Sequence, residues 1–365
     1  MNIRNVGFIG LGLIGGSIAK NIKKLYPEAS LIAATSGEET LRQAHADGLI
    51  ENDTFLPLED FATCDLLFLC SPVTVNLSYL RKLKPVLAPH CLLTAVGSVK
   101  EDIARAVKDL GLEKQFIGGH PMTGSEKTGI LSATNTLLEN AYYIITPTAL
   151  TPKKEISEFR DFVLSLGAIP LILDYKIHDY STAAISHLPH MIAYSLVNLV
   201  HQIDDDKETM KTIAAGGFKD ITRIASSSPV MWQNICASNR EPLLSLMDQY
   251  LALLTKLRGY IDSSNEQALL SFFQQAKDYR DSITLPSVKS PTVYYECFVD
   301  LVDETGGIAA VAGLLAQYHI SIKNIGIVNN REFEEGVLQL AFPDKQTLTR
   351  AKRLLTDNGY MVHER

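Results

Sequence analysis

The chain has 365 residues, of which 46% are hydrophobic and 21% charged, and its formal net charge is −7. This length suits two or three domains with sizeable cores. The acidic balance and the lack of a basic stripe argue against nucleic acid or an anionic membrane as a partner.

The cellular compartment follows from the cysteines and the apolar segments. Five cysteines without a CxxC pair predict reduced thiols. No signal peptide precedes the first apolar strand, and the most apolar helix, near residues 191–200, is expected to be too short and too interrupted by histidine to span a bilayer. We therefore predict a cytoplasmic protein.

A glycine-rich turn follows the first predicted strand. Gly10, Gly12 and Gly15 have the spacing G-x-G-x-x-G. The first glycine permits a tight turn, the second leaves room for a pyrophosphate, and the third lets the next helix pack closely on the strand. The free amides at the start of that helix, at Leu13 and Ile14, would face the phosphates. The turn predicts a dinucleotide-binding site.

The choice between NAD and NADP depends on the end of the second strand, residues 31–34. An Asp or Glu usually binds the ribose hydroxyl of NAD there, and this chain has Thr35 with no arginine beside it. The missing cation favours NAD, and NADP stays open. Ser71, after the next strand, is placed in the same cofactor site.

Strands alternate with helices as far as residue 173, which predicts an α/β Rossmann-type domain with a doubly wound parallel sheet. From 178 to 283 the apolar residues recur at helical spacing, which predicts an all-α domain. Its segment 243–257 is apolar all round, and this favours packing against a second subunit, with a central core helix as the alternative.

The end of the chain has a different pattern. Residues 285–291 read as a linker, and the remainder has the order βαββαβ, which predicts an α+β, ferredoxin-like fold. Residues 303–307, before its first helix, form a corner where a small carboxylate could bind. The predicted domains are thus 1–173, 174–285 and 292–365.

Candidate chemistry begins at His120, which follows a sheet strand at the ligand-binding edge and is flanked by glycines. A histidine there can act as a general base, and a loop histidine bonded to backbone is the alternative. Ser186 and His190 lie one helical turn apart. No cysteine or paired carboxylate completes a ligand set with the nearby histidines, so we predict no metal.

A second group of polar residues follows the pair Gly216-Gly217. Lys219 and Arg223 are four residues apart and are expected to share a helix face. The guanidinium suits a bidentate carboxylate. This face therefore predicts an anionic substrate, and a solvated charged face is the alternative.

Several ordered motifs together resemble one family. They are Gly10-Leu11-Gly12-Leu13-Ile14-Gly15-Gly16-Ser17, Gly97-Ser98-Val99-Lys100, Gly119-His120-Pro121-Met122 with Gly124-Ser125-Glu126, His178-Asp179, Ser186-His187-Leu188-Pro189-His190, and Phe218-Lys219-Asp220 with Thr222-Arg223-Ile224-Ala225 and Met231-Trp232. This set closely resembles the prephenate dehydrogenases of tyrosine biosynthesis, and the tail resembles an ACT domain. Thr35 departs from the family, which commonly has Asp at that position.

The resemblance implies NAD-dependent oxidative decarboxylation of prephenate to 4-hydroxyphenylpyruvate by a homodimer. It makes His120 the acceptor of the ring hydroxyl's proton, with Ser98 in the same cluster, and makes Arg223 the ligand of one substrate carboxylate. It also implies tyrosine as the effector of the tail. The other residues implied at the substrate site are Ser186 and His190 in the pocket wall, Glu126, Lys219 and Asp220 as a polar gate, and Gly216 and Gly217 as room for substrate.

Three other functions stay open. Arogenate dehydrogenase performs the same reaction on a substrate with an amino group in place of the side-chain keto group, and Glu126 or Asp220 could serve it. A β-hydroxyacid dehydrogenase shares the nucleotide and helical domains but uses a catalytic lysine, against which the histidine motifs speak. A non-catalytic amino-acid sensor would keep the nucleotide fold as a relic.

Overall fold

The structure is a computed structural model that describes residues 3–124, 128–283, 295–301, 306–328 and 336–363. Contacts divide the chain into two units, Met1–Pro286 and Ser287–Arg365. The boundary predicted at residue 173 falls inside the first unit and stays a prediction. The linker predicted at 285–291 and most of the predicted carboxylate corner, residues 303–305, lie outside the described residues.

A seven-stranded sheet occupies the first part of the chain, with the spatial order β2-β1-β3-β4-β5-β6-β7. Phe8 and Phe68 belong to one core cluster and Ile9 and Leu69 to another, so neighbouring strand residues are buried on opposite faces. The elements are β1 (Asn5–Ile9), α1 (Leu13–Leu25), β2 (Ser30–Ala34), α2 (Glu38–Ala46), β3 (Leu66–Leu69), α3 (Val73–Leu83), β4 (Leu92–Ala95), α4 (Glu101–Asp109), β5 (Phe116–Pro121), β6 (Tyr142–Pro147), α5 (Lys153–Ser165) and β7 (Ile169–Ile172).

The α/β Rossmann-type prediction is confirmed, but the expectation of a fully parallel sheet is wrong. Strand β6 runs antiparallel to β5, with His120 opposite Ile144, and β7 is parallel to β6. The physical reason lies in the connection between them. A parallel pair needs a crossover, usually a helix, and in the described part of the β5–β6 connection the only helical element is the short 3₁₀ turn Ile130–Ser132.

The second part of the chain is helical, as predicted. Its elements are α6 (Tyr175–Thr182), α7 (Leu188–Ile203), α8 (Thr209–Ile213), α9 (Gly216–Thr222), α10 (Pro229–Ser238), α11 (Arg240–Asp262) and α12 (Glu266–Ser282). A π-helical turn, Ala183–His187, joins α6 to α7 without a break. Such turns insert an extra residue into a helix.

The continuous helix Tyr175–Ile203 corrects the expectation of a short apolar segment. It has 29 residues, and its apolar window has a mean hydropathy of 1.2, so by length and composition alone it could cross a membrane. Core helices of soluble proteins pass the same test. Buried His178, Asp179 and His187 on this helix contact residues outside it. These contacts hold residues 178–187 against the rest of the chain, while 17% of the apolar window is buried.

Helix α11 presents its apolar residues unevenly. Leu243 and Leu246 are buried, whereas Leu251 is 57% exposed. The other exposed apolar side chains on α11 and α12 are Leu244, Met247, Leu253, Leu254, Ile261, Leu270, Phe273 and Tyr279. In a single chain the helix is therefore not buried on all sides, and the apolar surface that remains is large enough to bind a partner.

The tail forms its own four-stranded antiparallel sheet, with the spatial order β11-β8-β10-β9. Its elements are β8 (Tyr295–Leu301), α13 (Gly307–Gln317), β9 (Asn324–Val328), β10 (Gly336–Phe342), α14 (Lys345–Asp357) and β11 (Val362–His363). This is the predicted βαββαβ order. Gly306 precedes α13 in a left-handed conformation, with φ of 98°, which glycine adopts readily.

Candidate active site

The glycine turn has the shape that a pyrophosphate needs. Gly10 has φ of 97°, and a Cβ added there would lie 2.5 Å from the Ser71 hydroxyl. A Cβ at Gly15 would lie 2.5 Å from the Gly10 carbonyl oxygen, whereas one at Gly12 would meet nothing within 4 Å. The space over Gly12 is therefore open in front of the amides that begin α1 at Leu13. These residues fit a dinucleotide.

Two further predicted cofactor residues flank this turn. The Thr35 hydroxyl donates to the Gly37 carbonyl at 2.7 Å. The Ser71 hydroxyl donates to the Ile9 carbonyl at 3.2 Å, which ties the end of β3 to the end of β1. Thr35 is thus engaged with its own turn, and it brings no charge to the place where a ribose or a 2′-phosphate would lie.

Three side chains form a hydrogen-bonded row at the end of β5. His120 Nδ1 lies 2.8 Å from His178 Nε2, and His178 Nδ1 lies 2.7 Å from Asp179 Oδ1. The Asp179 carboxylate also accepts the backbone N–H groups of Lys100 and Glu101 at 2.8–3.1 Å. Asp179 therefore holds His178 while it accepts the first amides of α4.

The order of donors along this row determines which nitrogen of His120 is free. A carboxylate has only acceptors, so His178 Nδ1–H must donate to Asp179. In the neutral ring His178 Nε2 is then the acceptor, and His120 Nδ1–H must donate to it. The lone pair of neutral His120 consequently lies on Nε2, which has no partner among the described residues. Because His120 is only half-buried, this nitrogen can reach a substrate.

Burial and the neighbouring Lys100 keep the two histidines of the row neutral. The pKa of His120 is held well below its usual value by burial and by the charge of Lys100, with smaller effects of His178 and His187. Burial also lowers the pKa of His178, against the opposing effect of Asp179. An unprotonated His120 at neutral pH is the form that a general base requires.

A second cluster of side chains, here called the Trp232 wall, lies around Trp232. The His190 ring packs on Trp232 with 3.9 Å between ring centroids. His190 Nδ1–H donates to the Ser186 carbonyl at 2.8 Å, so the predicted relation of Ser186 and His190 is confirmed. Burial lowers the pKa of His190, and the charge of Arg223 lowers it further. The wall therefore combines an aromatic surface with a cation.

Two buried donors in this wall have no hydrogen-bond partner within the described chain. They are Trp232 Nε1, and His187 Nε2, whose other ring nitrogen accepts from Asn239 at 3.1 Å. Burial lowers the pKa of His187 to about 4, so its ring is neutral. Unpaired buried donors are rare in folded proteins. A polar ligand in this pocket would satisfy them.

Other predicted site residues are less engaged. Lys219, Asp220 and Arg223 are exposed. Helix α9 ends at Thr222 and a 3₁₀ turn, Arg223–Ser226, follows it directly, so the face that Lys219 and Arg223 are expected to share stays a prediction. The run Ser226-Ser227-Ser228-Pro229 begins three residues after Arg223 and favours a turn there. Gly216 and Gly217 begin α9, and a Cβ at Gly217 would meet nothing within 4 Å.

Of the two remaining candidates, Ser98 lies within the described residues and Glu126 does not. Ser98 is half-buried in the turn after β4, one strand from His120. Within the described residues its hydroxyl has no hydrogen-bond partner. Glu126 lies outside the described residues, so its predicted part in a polar gate stays a prediction.

Sequence reasoning missed three polar residues beside His120, namely Lys100, His178 and Asp179. All three are almost fully buried, with 0–1% of each exposed. The motifs Gly-Ser-Val-Lys and His-Asp contained them without indicating a contact between residues 79 positions apart. One signal in the sequence could have pointed to this contact: Lys100 directly precedes an amphipathic helix.

Comparison with known proteins gives two family matches. Residues 18–170 match the model described as prephenate dehydrogenase, nucleotide-binding domain. Residues 174–275 match prephenate dehydrogenase, dimerization domain. The chain is also 36% identical over 351 residues to a prephenate dehydrogenase of Bacillus subtilis (strain 168), covering 95% of this chain and 94% of the relative.

Solved structures agree with these matches. The prephenate dehydrogenase from A. aeolicus, in complex with hydroxyphenyl propionate and NAD+, superposes with a TM-score of 0.73 at 30% identity, over 78% of this chain and 99% of that one. The Synechocystis arogenate dehydrogenase superposes with a TM-score of 0.68 at 31% identity, over 76% and 99%. With its glycine cradle, its histidine row and these relatives, the chain belongs to the prephenate dehydrogenase family.

Proposed function

We propose that the protein catalyses the NAD-dependent oxidative decarboxylation of prephenate to 4-hydroxyphenylpyruvate, in the cytoplasm, as a step of tyrosine formation. The observation that carries this proposal is the row His120, His178 and Asp179, which leaves a lone pair on His120 Nε2 at the same edge of the sheet as the glycine turn. Bound NAD+ would supply the hydride acceptor, and the residues around Gly12 fit it.

The reaction needs a proton acceptor because the hydroxyl-bearing ring carbon of prephenate becomes a carbonyl carbon as it loses hydride. His120 Nε2 takes the hydroxyl proton, and the Ser98 hydroxyl, one strand away, is proposed to hydrogen-bond to the bound substrate. The bond from the ring to its carboxylate then breaks, its electron pair enters the ring, and CO2 leaves. Aromaticity is restored as the ring oxygen becomes a phenolate, which takes the proton back from His120 to give the phenol. Neutral His120 permits this step without an added charge beforehand.

The substrate also carries two carboxylates that must be held. Arg223 beside His190 is the cation proposed to bind one of them, because a guanidinium donates two parallel hydrogen bonds to a carboxylate. Ser186 and His190 line the pocket wall, Gly216 and Gly217 leave room at the start of α9, and Lys219 and Asp220 with Glu126 form the gate. The unpaired donors on Trp232 and His187 support a polar ligand at this wall.

The second candidate is arogenate, favoured by the likeness to the Synechocystis arogenate dehydrogenase. The test is a set of four assays at 340 nm, with prephenate or arogenate and NAD+ or NADP+. We expect the highest kcat/KM with prephenate and NAD+. A preference for arogenate would replace the proposed substrate, and no signal in any assay would favour the non-catalytic sensor.

We also propose that the active form is a homodimer. The exposed apolar side chains of α11 and α12 support this, as does the match of residues 174–275 to a family dimerization domain. Replacing Leu251 and Phe273, 57% exposed each, by glutamate should yield a monomer in analytical ultracentrifugation. Leu131, 81% exposed on the sheet-bearing part of the chain, is the matched control. An unchanged mass for the double variant would contradict this interface.

The tail is proposed to sense tyrosine. It contributes none of the site residues above, and the glycine start of α13 suits a carboxylate. Tyrosine could instead compete at the active site, since it shares the ring and a carboxylate with the product. A chain ending at Ile283 separates the two routes. It should keep activity and lose inhibition if the tail is the sensor, and equal inhibition of both chains would leave the active-site route.

A further inference from the structure

Lys100 is a buried lysine whose side chain is not used in the proposed reaction. It is 1% exposed. Its ammonium donates to the carbonyl of Ala95 at 2.8 Å and to that of Gly119 at 2.6 Å. Ala95 is the last residue of β4, and Gly119 directly precedes His120. The ammonium therefore connects the turn that carries Ser98 to the strand that carries His120.

Lys100 also contacts the other end of the histidine row. Its backbone N–H donates to the Asp179 carboxylate at 2.9 Å. A buried ammonium is costly unless its surroundings compensate it, and a methionine would fill similar space without that cost. The position of the charge therefore calls for a role in the site and not only in packing.

We propose that Lys100 is a positioning residue for the proton transfer: its ammonium holds the Ser98 turn against the His120 strand, and its charge keeps the His120 imidazole unprotonated and ready to accept a proton. This inference rests on the proposed function only in giving His120 the role of base. The effect of the Lys100 charge on His120 is a property of the protein without substrate.

The surrounding charges are consistent with this role. Lys100, His178 and His187 all oppose a proton on His120, and Lys100 has the largest effect after burial. Asp179 and the Cys70 thiol are the groups that act on Lys100 itself, and burial lowers the pKa of Lys100 to about 7. Because His120 titrates well below this value, Lys100 is charged over the whole range in which His120 gains its proton.

The experiment measures the pKa of His120 in the full chain by NMR of histidine labelled at Cε1, with the signal assigned by loss in His120→Asn. Lys100→Met removes the charge and the donors, Lys100→Gln removes the charge and keeps amide donors, and Lys100→Arg keeps the charge. Lys108→Met removes an exposed charge from the same helix, α4, and is the matched control.

We expect the His120 midpoint, and the acidic limb of kcat/KM with it, to rise by about one pH unit in the Met and Gln variants. Both should stay in place in the Arg and control variants. A purely structural role would lower kcat or the melting temperature without moving the midpoint. A folded Gln variant with an unmoved midpoint would overturn the proposal.

A measurement on the wild-type protein covers the case in which the uncharged variants do not fold. The His120 signal should show a second, smaller step near pH 7, where Lys100 loses its proton, and Lys100→Arg should lack that step. A single step in the wild-type protein would equally overturn the proposal. These titrations need no substrate, so they are decided independently of whether prephenate is turned over.

Discussion

Replacing Asp179 by asparagine should reverse the order of donors in the histidine row. Asp179 Oδ2 accepts from Glu101 N–H, and both of its oxygens accept from Lys100 N–H. These backbone donors cannot change, so the asparagine oxygen must stay with them and its NH2 group must face His178 Nδ1. His178 then carries its proton on Nε2, and His120 must accept through Nδ1. The His120 lone pair on Nε2 is lost.

The size of the effect follows from what that lone pair does. A positioned general base contributes about 10²–10⁴ to the rate, and a base held in the wrong tautomer loses a similar factor. We therefore expect kcat of Asp179→Asn to fall by about 10²–10⁴ while KM for prephenate changes little. The lost charge-assisted hydrogen bonds cost about 1–3 kcal/mol of unfolding free energy, which a typical reserve of about 5–15 kcal/mol tolerates.

Initial rates at 340 nm over a range of prephenate concentrations give both constants. Asp102→Asn, in the first turn of α4, the helix whose first amides Asp179 accepts, is the matched control and should behave as wild type. His120→Asn should show a similar loss, and the double variant should be no worse than His120→Asn alone, because residues that act as one unit are not additive. A kcat within about threefold of wild type, or additive losses, would refute the reasoning.

Three further predictions concern separate parts of the molecule. Arg223→Ala should raise KM for prephenate strongly, because a bidentate contact is lost on binding, and an unchanged KM would place the anion site elsewhere. Thr35→Asp should sharpen the preference for NAD+ over NADP+ in kcat/KM by repelling the 2′-phosphate, and an unaltered ratio would contradict this. The lowered pKa of Lys100, about 7 against 10.5, means that the unfolded chain binds more protons between these values. Unfolding free energy from urea titrations should therefore rise by up to about 1.4 kcal/mol per pH unit in that window, relative to Lys100→Met, and parallel pH curves would exclude the buried charge.

The parts of the fold that were predictable are those with local causes. Alternation of apolar runs with glycine turns located β1 to β5, and helical spacing located the second region, because side-chain period and turn chemistry act within a few residues. The direction of β6 was not predictable in this way. It depends on whether residues 122–141 form a crossover helix. The spacing of their apolar residues does not distinguish a loop from a short helix.

Only those parts of the site that depend on neighbouring residues in the sequence were predictable. His120 was predicted to follow a strand at the ligand-binding edge, and it lies within the end of β5, opposite Ile144. Its orientation depends on Asp179, which is bound through backbone amides at Lys100 and Glu101. Backbone amides are common to every residue, so no residue type marks this contact. The change from α-helix to a 3₁₀ turn at Arg223 was not predicted, because the spacing of apolar residues is similar in both.

The π-helical turn explains how one face of a helix carries both His178 and His190. His178 and His190 are twelve residues apart, and at about 100° per residue a regular helix would set them about 120° apart around its axis. One inserted residue makes the spacing equivalent to eleven, which reduces the separation to about 20°. The turn Ala183–His187 lies between the two histidines. The same face of Tyr175–Ile203 therefore carries His178, which orients the base, and His190, which stands beside the cation proposed to hold the substrate.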